Sequence, residues 1–272
     1  MRIFILLLSA LFSLGLSAQT YSNYLDSIDR YVVDRNWGAA EVMLNKALKA
    51  EPANPNNYIL LSNLGTVYRN MKKYDDALSF YNRALAITPN AVTIIHNRAA
   101  LYLEMDSTKA AYKDYARIMN LDKNDVDSRY YHGMISMEYG DLESAKADFV
   151  EAMSIDKKNL NAKRGMAIWY KVNGDFESAV TLYNEIILEE NRFANYIGRA
   201  ECHLELGKLT EADADISEAQ KLDPSNPDVF LLKARSAELY YRYDDAINYA
   251  KKALELGADA DLVEKFIKKL KI

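Results

Sequence analysis

Apolar and small residues return along this 272-residue chain at two spacings. The short one is three to four residues, which puts side chains on one face of a helix. Leu61, Leu64, Gly65 and Tyr68 form one such stripe, and Ala77, Tyr81 and Ala84 form another after a short polar turn. Pro89 ends the second stripe, because proline has no amide to continue a helix. Gly65 has no side chain, so the second helix can come close. The two stripes therefore predict a helical hairpin. The long spacing runs through Ala77, Ala111, Ala145, Ala179, Ala212 and Ala246, in steps of 34, 34, 34, 33 and 34. A period of this length predicts an all-α solenoid, in which hairpins stack side by side and leave a concave face. Such a face binds things and does no chemistry by itself.

The register extends in both directions. The third unit carries Ala99, Tyr102, Ala111, Tyr115 and Ile118, and the fourth Gly133, Gly140, Ala145, Phe149 and Ala152. The fifth carries Ala167, Tyr170, Gly174, Ala179 and Tyr183, the sixth Ala200, Gly207, Ala212 and Ala219, and the seventh Ala234, Ala246, Ala250 and Ala253. An N-terminal unit reads Tyr31, Trp37, Ala40, Leu44, Ala47 and Pro52. Its step to the next unit is longer, which implies a short insertion around Ala53–Asn57.

The run Leu61, Leu64-Gly65, Tyr68, Ala77, Tyr81, Ala84, Pro89 resembles the tetratricopeptide repeat. That repeat reads Trp-x₂-Leu-Gly-x₂-Tyr, then Ala, Phe, Ala and Pro. Leu61 stands in for the tryptophan and Tyr81 for the phenylalanine. The resemblance implies a right-handed α-solenoid of seven helix-turn-helix repeats, at about 21–54, 58–91, 92–125, 126–159, 160–192, 193–226 and 227–260. A capping helix is expected over 261–272, with Leu262, Phe266, Ile267 and Leu270 at helical spacing and Lys268, Lys269 and Lys271 at its end. Ser136, His203 and Ala237 depart from the pattern, since they sit where it wants a large tyrosine. The repeat specifies a scaffold, and many functions use that scaffold.

The first residues differ from the rest. Met1-Arg2 precedes an almost wholly apolar run, Ile3 to Leu16, and then Ser17-Ala18-Gln19-Thr20. This pattern predicts a secretory signal peptide over 1–18, cleaved after Ala18, and a mature chain over 19–272. The run is shorter than the ~20 residues a spanning helix needs. Export to a periplasm or beyond is the expectation, and the single cysteine, Cys202, fits an oxidising compartment because it has no partner to mispair with. The net charge of −5 includes Arg2, so the mature chain is one unit more acidic. With no basic stripe, nucleic acid is not an expected partner.

A search for chemistry finds none. His96, His132 and His203 fall on different faces of their repeats and should not converge on a metal. No His-Glu-x-x-His, Cys-x-x-Cys pair or glycine-rich phosphate loop occurs. The run Glu211-Ala212-Asp213-Ala214-Asp215 lacks the glycine and the later glutamate of a calcium loop and reads as a solvated helix face. No nucleophile–base–orienter set can be assembled. The expectation is a protein that is not an enzyme and takes no cofactor and no metal.

By the resemblance, the first helix of each repeat lines the concave face. The inward positions include Thr66 and Arg69 in the second repeat, His96 in the third, Tyr130 and Met134 in the fourth, Arg164 and Ile168 in the fifth and Arg235 in the seventh. Asn63 and Asn97 sit just before the packing stripe, where family members use an amide against a bound peptide backbone. A protein or peptide ligand is expected, with its backbone on Asn63 and Asn97, an apolar side chain on Tyr130 and Met134, and an acidic group on Arg164. Helical spacing alone leaves open whether Tyr130 and Met134 line the groove or fill the space between repeats. The carboxylate clamp of chaperone adaptors is absent, because Ser62, Thr66, Asp127 and Tyr131 replace its ligands. Two other readings stand beside this one: an accessory subunit that docks through its convex face or ends, and a glycan-binding protein.

Overall fold

The computed structural model describes residues 16–270, with side chains from Tyr21 onward. Residues 1–15 of the expected signal segment, and Lys271 and Ile272 of the expected cap, lie outside the described residues. Fifteen α-helices occur among the described residues, and no strand does. In order they are α1 (Leu16–Val33), α2 (Trp37–Ala50), α3 (Asn57–Asn70), α4 (Tyr74–Ile87), α5 (Val92–Glu104), α6 (Thr108–Leu121) and α7 (Val126–Glu138). Then come α8 (Leu142–Ile155), α9 (Leu160–Val172), α10 (Phe176–Glu189), α11 (Phe193–Glu205), α12 (Leu209–Leu222), α13 (Pro227–Leu239), α14 (Tyr243–Glu255) and α15 (Ala260–Leu270). The chain divides into two compact units, Met1–Ile135 and Ser136–Ile272, with the division inside α7.

In the first unit, Leu25, Ile28, Leu44, Leu60 and Leu64 make one apolar core among α1, α2 and α3. A second core joins Tyr81, Ile94, Leu101, Tyr115 and Ile118 from α4, α5 and α6. Gly65 does what its place in the pattern predicts. A Cβ there would lie 2.6 Å from the Tyr81 ring, so α3 and α4 meet at a distance only glycine allows. The loop between α2 and α3 is held by side chains. Asn57 Nδ2 donates to the carbonyls of Glu51 (2.8 Å) and Pro52 (3.2 Å), and Asn54 Nδ2 donates to Glu51 Oε2 (2.7 Å).

In the second unit the same logic repeats with different residues. Asp141, Asn159 and Asp175 cap α8, α9 and α10 by accepting from the backbone N–H three residues on. Pro227 opens α13 in its first turn, where the missing N–H has no cost. The rings of the second helices reach the next hairpin. A Cβ at Gly165 would lie 2.4 Å from the Phe149 ring, and one at Gly198 2.4 Å from the Tyr183 hydroxyl. At the departures from the pattern, Ser136, His203 and Ala237 are all buried. Val263 of α15 is buried, with Phe266 and Ile267 packed beside it against the core that includes Ala234 and Ala250.

Candidate functional site

In the first unit, α3 leaves little for a ligand. From Leu60 to Val67 every residue is buried. Thr66 Oγ1 donates to the Ser62 carbonyl (3.2 Å) or shares a proton with the Tyr81 hydroxyl (3.0 Å). Arg69 is 5% exposed and donates from Nε (3.1 Å) and Nη2 (2.8 Å) to the Glu104 carboxylate of α5. Asn63 and Asn97 are 2% and 3% exposed and already engaged within the chain. All four residues expected at the ligand face are buried and have partners within the chain. Thr66 bonds within its own hairpin, and Arg69 reaches from α3 to Glu104 of α5 in the next repeat.

The neighbouring residues are more open. His96 Nε2 lies 2.8 Å from Asp125 Oδ2, and Asp125 Oδ1 accepts from the Ser128 N–H (2.7 Å). Burial alone would raise the Asp125 carboxyl, but the His96 bond and charge together with Ser128 outweigh it and hold it below the usual carboxylate range. His96 joins a run of rings. It meets Tyr115 edge-on (6.0 Å between centroids), Tyr115 stacks on Tyr131 (5.1 Å), and Tyr131 meets Tyr130 edge-on (5.1 Å). Burial, then the Tyr130 and Asp127 groups, raise the Tyr131 phenol, so its hydroxyl stays neutral. Tyr130, Tyr131 and Met134 are half-buried on α7, with Asp127 one turn before Tyr131. They lie within about one helical turn of each other, with Tyr131 packed against the core and all three partly exposed, and make an aromatic and thioether ledge on α7.

In the second unit the inward-facing charges are paired with one another. Arg164 donates to Glu190, to Asn161 Oδ1 (2.7 Å) and to Asn195 Oδ1 (3.3 Å). It already holds an acidic group, Glu190, of its own chain. Lys171 of α9 pairs with Glu201 of α11, Glu205 of α11 with Arg235 of α13, and Glu238 of α13 with Lys269 of α15. Arg235 is exposed but engaged, and Ile168 is half-buried.

Two forks escaped the sequence reading. Arg98 grips Asp114 through Nε (2.8 Å) and Nη2 (2.7 Å) and Asn82 through Nη1 (2.8 Å). Arg199 grips Asp215 and Asn184 in the same way. In both, an aspartate follows the arginine by 16 residues, across the hairpin. That spacing is visible in the sequence, but a pattern built on apolar residues passes over it. Among the described residues no cluster of three His, Cys, Asp or Glu side chains could hold a metal, and no helix is long and apolar enough to cross a membrane.

Serial two-helix hairpins, packed through small residues, define an α-solenoid of the helical-repeat class. Family models described as tetratricopeptide repeat match residues 58–91, 167–227 and 197–261. The chain is a tetratricopeptide repeat protein. It is similar to a tetratricopeptide repeat protein from Parabacteroides merdae, with 29% identity and a TM-score of 0.73, over 93% of this chain and 100% of that one. The Cut9–Hcn1 complex of the APC/C shares the fold at 12% identity and a TM-score of 0.70, over 93% of this chain and 56% of that one. Pseudomonas aeruginosa pilF shares it at 16% identity and a TM-score of 0.59, over 93% and 99%. No curated protein matches the chain. The repeats mark it, at the coarse level, as a scaffold for protein–protein interaction.

Proposed function

We propose that this chain is a non-enzymatic scaffold, exported to a cell envelope, that binds an extended protein segment against the first-helix face of its first unit. The observation that carries the reading is the ledge of Tyr130, Tyr131 and Met134. These side chains are of types favoured at adaptable contact surfaces, they are half-buried, and the two tyrosines belong to a run of packed rings. Nearby, Arg69 is paired with Glu104, and His96 is hydrogen-bonded to Asp125. A ligand there gains most from placing an apolar side chain on the ledge. Export is supported by the positive start, short apolar run and small residues of positions 1–18.

The test is a photo-crosslinking amino acid placed at Tyr130, with Lys113 on the exposed side of α6 as control. In extracts of the native envelope, the Tyr130 variant should capture a discrete protein that the Lys113 variant does not. Capture through Lys113 alone would transfer the function to the outer helices.

A further inference from the structure

A second surface stands apart from that ledge, at the turn between α13 and α14. Leu239, Tyr240, Tyr241 and Tyr243 are all exposed there, Tyr241 by 79%. The Arg242 guanidinium lies over the Tyr240 ring (4.8 Å), and Tyr241 meets Tyr243 edge-on (6.4 Å). Asp244 and Asp245 follow in the first turn of α14, exposed and without an ion-pair partner among the described residues.

The backbone of this turn makes the aromatic choice informative. The same position in the other hairpin turns is held by Arg35, Lys72, Asp106, Gly140, Gly174 and Gly207, and every one of them has a left-handed φ. Glycine takes that conformation without steric cost, while a residue with a Cβ does not. Tyr241 takes it at φ 60°. It is the one aromatic residue among these turns, and its ring gains almost no burial within the chain in return. Arg35, Lys72 and Asp106 share that φ, so the turn sets it; what is particular here is a large open ring beside two more exposed tyrosines, surface of the kind a partner covers.

We infer that this turn docks a basic segment of another protein, one carrying arginine or lysine. The chemistry is complementary in two ways. The open faces of Tyr241 and Tyr243 accept a cation over the ring, and Asp244 and Asp245 supply two carboxylates a few residues along the same turn. Arg242 is already turned onto Tyr240, so it leaves those carboxylates unmatched. The chain's net charge of −5 adds long-range attraction for such a segment.

The experiment uses the mature full-length chain and an N-acetylated heptapeptide of alternating arginine and glycine, titrated at low salt. The leading variant is Tyr241→Gly, which installs the residue that the turns at Gly140, Gly174 and Gly207 already use and should leave the melting temperature unchanged or raised. The expected result is saturable binding by the parent, weakened at least tenfold by Tyr241→Gly and by the double change Asp244→Asn with Asp245→Asn. The matching glutamate–glycine peptide should not bind. Three results would each overturn the inference: no saturable binding of the arginine peptide, equal binding by Tyr241→Gly, or preference for the acidic peptide or an uncharged glycan oligomer.

Discussion

At the scale of single residues, two glycines make opposite demands. Gly165 sits under the Phe149 ring, where an added Cβ would have to push aromatic carbon aside at 2.4 Å. Gly38, in the first turn of α2, has nothing within 4 Å of that position. Gly165→Ala should therefore cost about 1–3 kcal/mol through overpacking. Gly38→Ala should gain about 0.5 kcal/mol by restricting the unfolded chain. Urea denaturation of the two variants checks both signs at once. His203 gives a second residue-scale prediction. Burial lowers its pKa below the ordinary 6.5, helped by Arg199 and Lys208 and opposed by Asp215 and Glu211. A lowered value means the unfolded chain takes the proton more readily. Stability is then fully present above the unfolded pKa and is lost as pH falls below about 6.5. Melting temperatures between pH 7 and pH 5 should fall for the parent and fall less for His203→Gln.

Between elements, the arginine forks tie the two helices of a hairpin together. Arg98 is the guanidinium that neutralises the buried Asp114. Arg98→Met would leave that carboxylate buried without its partner, at a cost of about 3 kcal/mol. Replacing both, as Arg98→Met with Asp114→Leu, should recover most of the loss, and a double-mutant cycle measures the coupling. At this scale much was legible in advance. The alanine period and the small residue at 65 mark helix contacts directly, because a close approach admits few residue types. Gly165 and Gly198 were less legible. They receive a ring from the preceding hairpin, and a stripe read within one hairpin does not reveal contacts with the next. The site was harder still. Asn63, Thr66, Arg69 and Asn97 fall at inward positions, yet inward and open are different properties. Whether the next hairpin covers an inward side chain depends on the angle between hairpins, which side-chain spacing does not encode. Arg164 shows the same limit for charge, since its partner Glu190 lies 26 residues away in the following junction.

For the whole molecule, the pairing of charges within the chain decides what kind of ligand each face can take. In the second unit, the Lys171–Glu201, Glu205–Arg235 and Glu238–Lys269 pairs leave few inward charges unmatched. An incoming charged segment would have to displace them. In the first unit the ledge of Tyr130, Tyr131 and Met134 offers partly exposed apolar surface, and ring packing on Tyr131 reduces the ordering that binding would cost there. The repeats carry the general role of a protein-binding scaffold, and the ledge carries the particular claim. The most direct measurement is a calorimetric titration of the protein captured through position 130 against the parent, Tyr130→Ala with Met134→Ala, and Lys113→Ala. The account predicts at least a tenfold loss of affinity for the ledge variant and no change for Lys113→Ala. Full affinity in the ledge variant, with loss confined to Lys113→Ala, would contradict it.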